Sequence, residues 1–488
     1  MTDVVSAPAL GEHFRALAAT SPSAMAISCG SEGITRGELD RLTNQLARAY
    51  QARGVTQDSL VTIGLPNSIE FLAATIAVWK CGATPQPISS RLPARERAAI
   101  IELARPSLVV GVDPSEVSGI PVVPAGFDPA GLSDEPLPPL AAACWKAPTS
   151  GGSTGRPKLI VSTQRADLSS VEPFARLLGM VDGGTSLITG PLYHNAPFLL
   201  SACTLVLGGH VVLMPRFDAA EAVRLSDEYD TDWVYLVPTM MSRISRLPEP
   251  QRAAFPPPSL RVVMHMAAPC APWLKREWID WVGAARVWEL YAATEVQSAT
   301  LMTGEEWLER PGTVGKPVIG EMRVLDSAGA DVPPGTIGEI WMRRGEGLAN
   351  PYRYLGADPR QREGGWESVG DMGSIDAEGY VFLADRKSDM ILVGGSNVYP
   401  AEIESALTEH PMVRSAVVIG LPHADLGQVP HALVELAAEV SDEQLRDHLV
   451  ERLVSYKIPR TFERVAESLR DDAGKVRRTA LTVERVGA

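Results

Sequence analysis

Apolar and polar positions change period several times along the first third of the chain. Leu39, Leu42 and Leu46 recur at helical spacing, and Thr35 with Glu38 ahead of them has the spacing of a capping box. The run Leu60-Val61-Thr62-Ile63-Gly64-Leu65 predicts a strand, Ser68 to Trp79 a buried helix, and Leu108 to Val112 another strand. Strands alternating with helices predict α/β layers with largely parallel pairing. The Pro-rich stretches 121–139 and 255–259 predict surface loops rather than linkers. No repeat of 20–50 residues interrupts this organisation.

The last hundred residues follow a different pattern. Gly379-Tyr380-Val381-Phe382-Leu383 leads into the charged run Asp385-Arg386-Lys387-Ser388-Asp389. A helix over Ala401 to Glu409, strands over Val413 to Ile419 and Ala432 to Leu436, and a helix capped by Ser441 with Gln444 then predict a small α+β domain with its own core. The expected architecture is α/β: a large N-terminal domain of layered α/β subdomains over 1–385, and a small C-terminal α+β domain over 386–488.

Composition narrows this picture. The chain has 488 residues, which at roughly 100–200 residues per domain allows two to four domains. Its net charge of −14 disfavours nucleic acid and anionic membranes as general partners. The five cysteines form no C-x-x-C pair and read as small buried residues in a reducing compartment. Met1-Thr2-Asp3 is polar and acidic, so no signal peptide is expected there. The most apolar stretch, Phe71 to Trp79, is too short to span a bilayer and is stopped by Lys80. The expectation is a soluble cytoplasmic protein, monomer or homodimer.

Four segments carry chemistry. In Thr149-Ser150-Gly151-Gly152-Ser153-Thr154-Gly155-Arg156-Pro157-Lys158, glycines free backbone N–H groups to face one anion, hydroxyls add donors and Lys158 adds charge. Leu159 follows Lys158, so this is not a Walker A loop. In Tyr291-Ala292-Ala293-Thr294-Glu295, an aromatic suits a base, a hydroxyl a phosphate and a carboxylate Mg²⁺. Gly370-Asp371 and Asp385-Arg386 precede Gly394-Gly395-Ser396-Asn397-Val398-Tyr399-Pro400-Ala401-Glu402-Ile403-Glu404, and an Asp can accept from both ribose hydroxyls. The last segment is Gly474-Lys475-Val476-Arg477-Arg478. Taken singly, each also reads as an ordinary loop, strand end or solvated basic run.

In this order and spacing the four segments resemble the adenylate-forming superfamily of acyl-CoA synthetases, peptide-synthetase adenylation domains and beetle luciferases. The resemblance covers about residues 10–485. Pro191-Leu192-Tyr193-His194-Asn195-Ala196-Pro197-Phe198 and Ala267-Ala268-Pro269-Cys270 bring it nearest to CoA ligases for bulky carboxylic acids such as bile acids. The S-G-G-S-T-G form of the loop is also that of aryl-acid activators.

The resemblance implies a two-step ligase, of a kind found in secondary metabolism. A carboxylate attacks the α-phosphate of Mg-ATP to give acyl-AMP, and the thiol of CoA then displaces AMP. The small domain would rotate between the halves about a hinge at Ser388. Thr149, Ser150, Gly151, Gly152, Ser153, Thr154, Gly155 and Lys158 would hold the β- and γ-phosphates. Tyr291 would stack on adenine beside the Ala267-Ala268-Pro269 backbone. Thr294 would touch the α-phosphate, Glu295 would bind Mg²⁺, and Asp371 and Arg386 would hold the ribose. Lys475 would bridge carboxylate and α-phosphate in the first half only. Gly394 and Gly395 would let pantetheine pass close to the backbone, and His194 would gate the acyl cleft. Asn195 stands where amino-acid activators carry an Asp for the substrate's ammonium, which disfavours an amino acid. Phe198, Tyr235, Val237, Met240 and Met241 are candidates for the acyl pocket.

Two departures from the family pattern carry expectations. Ala292 replaces a usual Gly; its methyl takes up space, removes positive-φ freedom and would weaken adenylation while sparing thioester formation from a supplied acyl-AMP. On that reading Ala292→Gly raises pyrophosphate exchange. Leu469-Arg470-Asp471-Asp472 replaces the commoner L-P-R-T, and the two acids are expected to be solvated. Alternative activities are a stand-alone adenylation enzyme loading a carrier protein, a luciferase-type oxygenase and a nucleotide-binding protein without turnover.

Overall fold

The structure, a computed structural model, describes residues 7–151, 157–467, 469–471 and 474–486. The local capping signals form as their chemistry dictates. The Thr35 hydroxyl accepts the N–H of Glu38, whose carboxylate accepts the Thr35 N–H at 2.9 Å, and together they start the helix Arg36–Gln51. Ser68 Oγ accepts the Phe71 N–H at 3.2 Å and starts the helix Ile69–Lys80. Ser441 and Gln444 form a second capping box, ahead of the helix Asp442–Val450. Lys80 does not reach solvent. Its Nζ donates to Asp40 Oδ1 at 2.6 Å and Asn44 Oδ1 at 2.8 Å, so the charge that ends the apolar run is an internal tie between two helices.

The largest sheet has nine strands in the order Lys316–Ile319, Ala299–Thr303, Val287–Ala292, Val262–His265, Trp233–Leu236, Thr185–Ile188, His210–Leu213, Met25–Cys29, Glu32–Thr35. From Val287–Ala292 to Met25–Cys29 every pairing is parallel. The helices Ile69–Lys80 and Asn195–Val206 lie almost wholly in the same core. A second, parallel sheet joins Thr84–Pro87, Leu60–Ile63, Leu108–Val110 and Val122–Val123. Antiparallel strands between Glu321 and Arg386 form a third. In parallel sheets ligands bind beyond the carboxyl ends of the strands. Here Tyr193–Asn195, Thr239, Met266–Pro269 and Tyr291–Glu295 all emerge at that edge and line one cleft.

Residues from Ile391 onward enclose a separate core around Val398, Ile403, Leu407, Val418, Val434, Leu445 and Leu449. Its sheet pairs Val413–His423 with Gly427–Leu436, flanked by Ile391–Val393 and Thr461–Arg464. A buried carboxylate ties its ends together. Glu404 Oε2 accepts from Arg470 at 2.6 Å, Oε1 accepts from Arg478 at 2.7 Å and from the Val418 N–H at 2.8 Å, and Arg478 also donates to Asp389 Oδ2 at 2.8 Å. The two cores meet across the cleft. Arg246 donates to the carbonyls of Arg414 and Val413, each at 2.8 Å. A Cβ placed on Gly474 would stand 3.5 Å from Thr239 Oγ1 and 3.8 Å from Ala268 Cβ.

Among the described residues no helix is long and apolar enough to cross a membrane. All five cysteines are free thiols.

Candidate active site

The cleft between the two cores gathers Lys158, Glu295, Asp371, Arg386 and Lys475 from the four segments. Tyr291 is the last but one residue of a strand of the large sheet, Asp371 opens an antiparallel strand and Arg386 closes the next. Tyr291 Oη donates to Asp371 Oδ2 at 2.7 Å, and Arg386 Nε lies 3.3 Å from Asp371 Oδ1. Burial, and then the Asp371 charge, holds the Tyr291 phenol well above its ordinary range, so it stays a donor.

Lys158 Nζ lies 3.3 Å from Glu295 Oε1 and 4.0 Å from the ring centre of Tyr354, whose hydroxyl donates to the same Glu295 oxygen. Val296, next to Glu295, has a φ of 53°, a left-handed conformation that β-branched residues rarely adopt. Thr149 lines the cleft and its Oγ1 accepts from Gln86 Nε2 at 2.8 Å. Ser150 and Gly151 continue that strand in backbone; Gly152, Ser153, Thr154 and Gly155 lie outside the described residues.

Lys475 enters this cleft on a short turn. Asp471 Oδ1 accepts the Lys475 N–H at 2.9 Å, and the Asp471 N–H donates to the Lys475 carbonyl at 2.9 Å. Asp471 is exposed, as expected of a solvated acid, and its carboxylate also braces the turn; Asp472 lies outside the described residues. Burial within the cleft, and then the charge of Arg386, lowers the Lys475 pKa below the usual lysine range. Lys475 in turn adds to burial in holding His194 down at about 3, so the imidazole is neutral. His194 Nε2 is buried without a partner among the described residues.

Other candidates take different places. Thr294, Asn195, Tyr235, Ala292, Ala267, Ala268, Pro269 and Ser388 line the cleft. Phe198 does not: it packs on the rings of Phe71, Trp79 and Trp145 in the core. Val237, Met240 and Met241 are likewise core residues. Gly394 and Gly395 form the two-residue turn of a hairpin, both at positive φ, and do not line the cleft. Ala292 sits in an extended strand opposite Ala299, with no left-handed φ. A side chain there meets no backbone strain, which removes that ground for weak adenylation. Ala292→Gly is accordingly expected to leave pyrophosphate exchange within about threefold of the parent, glycine costing only ~0.5–1 kcal/mol in a strand. A tenfold rise in exchange would make the methyl an obstacle after all.

Gln86, Lys146, Arg246 and Tyr354 are contributors that sequence reading missed. Each meets its partner across 49 or more residues of chain, so no local spacing announces it.

The cleft thus brings together the Tyr291–Asp371–Arg386 cluster, the Lys158–Glu295 pair and Lys475. Residues 14–353 match the AMP-binding enzyme family and residues 402–475 its C-terminal domain, and the chain belongs to that family. It is 30% identical over 478 residues to the sulfoacetate–CoA ligase of Cupriavidus necator, covering 92% of each chain. It is also similar in structure to o-succinylbenzoate CoA synthetase from Bacillus subtilis. In complex with the acyl-adenylate OSB-AMP, that enzyme shows a TM-score of 0.81 at 25% identity, covering 97% of this chain and 98% of the other. In complex with ATP and magnesium ion it gives 0.83 at 25% identity, covering 96% and 98%. The chain is an AMP-forming acid–thiol ligase whose family uses ATP, Mg²⁺ and CoA.

The residues present fit those ligands. Among the described residues no three His, Cys, Asp or Glu side chains cluster as a metal cage. Mg²⁺ needs none, since it keeps waters and takes one or two carboxylates plus substrate phosphates. Glu295, a carboxylate facing the cleft beside Lys158, is suited to that part.

Proposed function

We propose that the enzyme joins a bulky hydrophobic or aromatic, non-amino carboxylic acid to CoA, in two halves served by one cleft. Lys475 carries this reading: it stands in the cleft with Arg386, Glu295 and His194 around it. Two anions, carboxylate and α-phosphate, must approach one another. A cation placed between them offsets their repulsion and stabilises the charge that develops. Asp371, Tyr291 and Arg386 hold the nucleoside, Lys158 and Thr294 the phosphates, and Glu295 the metal. Leu199, Tyr235 and Met266 on the cleft wall, and Asn195 in place of an acid, suit a substrate without an ammonium.

The orientation with Lys475 inserted serves the first half, and the small domain turns about Ser388 for the second. Arg246 steadies the first orientation through its two carbonyl contacts. Hydrogen bonds of charged groups are worth about 1.5–3 kcal/mol when desolvated and less at a half-exposed edge. Arg246→Ala should therefore slow pyrophosphate exchange about fivefold, at ~1 kcal/mol, and leave thioester formation from a supplied acyl-AMP unslowed. Equal slowing of both halves would deny Arg246 this part.

The function itself is tested by a screen of bulky and aromatic acids, and of their adenylates, with CoA, read by mass spectrometry. Thioesters of non-amino acids are the expected products. Exchange confined to amino acids, or transfer to a carrier-protein thiol but not to CoA, would overturn the proposal.

A further inference from the structure

Lys146 lies three residues before Thr149, in the core rather than on the cleft. It is 6% exposed, and its Nζ stands 4.6 Å from the ring centre of Trp145. No carboxylate pairs with it among the described residues. Burial pushes its pKa down to about 7. Among the described residues its one hydrogen-bond acceptor is Asn195 Oδ1. Asn195 heads the helix Asn195–Val206, beside His194, and lines the cleft.

The chemistry of this pair fixes the side-chain amide. In its charged form the lysine has three donors and no acceptor, and it takes the amide oxygen, which is the contact the structure holds. Oδ1 is thereby turned toward the core, and the Nδ2 group, which diverges from it, is left for the cleft. Among the described residues no group accepts from Asn195 Nδ2. An Asn free to turn could offer the cleft either an acceptor or a donor; one tethered by a lysine offers only the donor.

We infer that Lys146 is a positioning residue that sets the hydrogen-bond polarity of the acyl cleft. By holding Asn195 Oδ1 it presents Nδ2 as a donor and selects acids that carry an acceptor oxygen, such as an oxo group, near the reacting carboxylate. An unsubstituted acid leaves that donor unmatched. An ammonium meets a donor. The inference rests on the ligase reading above and deepens it by naming a substrate class.

The test uses the full chain and acids in matched trios on one skeleton: 2-oxo, unsubstituted and 2-amino. Phenylpyruvate, 3-phenylpropanoate and phenylalanine form one trio; indole-3-pyruvate, indole-3-propanoate and tryptophan form a second. Pyrophosphate exchange gives kcat and KM for each. The parent should favour the oxo acid over the unsubstituted one about tenfold, the worth of one hydrogen bond near the upper end of its ordinary range. The amino acid should come last. Lys146→Met should bring the oxo-to-unsubstituted ratio to within about twofold, through KM for the oxo acid, with KM for ATP unchanged. A purely structural role would move all three acids alike. Asn195→Asp, which keeps Lys146 paired and gives the cleft an acceptor, should move the amino acid up the order and guards against misfolding of the lysine variant. An unchanged ratio in Lys146→Met, or no oxo preference in the parent, would overturn the inference while leaving the ligase reading intact. No exchange with any acid of the wider screen would overturn both.

Discussion

Replacing Lys475 with alanine should lower acyl-AMP formation, measured as pyrophosphate exchange, by about 10²–10³-fold, the usual cost of removing one preorganised charge contact to a transition state. Thioester formation from a supplied acyl-AMP should continue at close to the parent rate. The asymmetry follows from where the side chain stands. Lys475 shares the cleft with Arg386, which together with burial holds its pKa below the ordinary lysine value, while Glu295 and Asp471 partly oppose the shift. That cluster of positive charge is matched only when anions approach it. The second half brings a neutral thioester bond into being at an already activated carbonyl and has no comparable pair of anions to reconcile. Because the cation is the working form and its pKa is lowered, exchange should fail on the alkaline side sooner than an ordinary lysine would allow. Equal loss in the two assays would remove Lys475 from the bridging role.

The largest effect on stability is expected at Glu404. Its carboxylate is buried and receives Arg470, Arg478 and the Val418 N–H. Burial by itself would raise its pKa; the two guanidiniums and the amide more than reverse this, and the group lies below its ordinary value. Glu404→Leu leaves two guanidiniums without their shared acceptor in a largely desolvated place, a loss of ~3–5 kcal/mol for a broken buried pair. Thermal unfolding, with hydrogen exchange to localise the change to residues 391–486, measures it. Glu404→Gln keeps one acceptor and should cost less. The sign with pH is fixed by the lowered value: the contribution is complete above the ordinary carboxylate pKa of about 4.3 and is lost as pH falls through the folded value. The small domain of the parent should thus loosen in acid, and Glu404→Leu should lose that dependence. A Glu404→Leu variant as stable as the parent would show that the network holds nothing. Removing the exposed Arg224–Glu221 contact, by contrast, should leave stability unmoved.

Those two expectations differ in how far sequence could foresee them. Lys475 was legible because a Gly-Lys pair stood at the right distance behind three other segments. The helix starts at Thr35, Ser68 and Ser441 were legible because capping is settled within four residues. The antiparallel sheet between Glu321 and Arg386 left a weaker trace, its short strands pairing through register set far along the chain. Phe198 was misplaced because helical spacing cannot say which side of a wholly buried helix meets the cleft. The bracing of the Lys475 turn by Asp471 left no trace because its partner is a backbone N–H, which no side-chain pattern records. Gln86, Lys146, Arg246 and Tyr354 were silent for the same reason: their partners are decided by tertiary packing.

The contact between Lys158 and Glu295 has a thermodynamic consequence. Each is now the other's counter-ion, 3.3 Å apart, with Tyr354 beneath the lysine. Under the assignment proposed above, nucleotide phosphates would claim the lysine and the metal would claim the carboxylate. Either arriving alone strands one charge; arriving together they exchange partners with the site and strand none. Metal and nucleotide must then strengthen each other's affinity by one and the same factor, since such coupling is reciprocal. What this acidic chain takes up most readily is a neutralised salt rather than a bare polyanion.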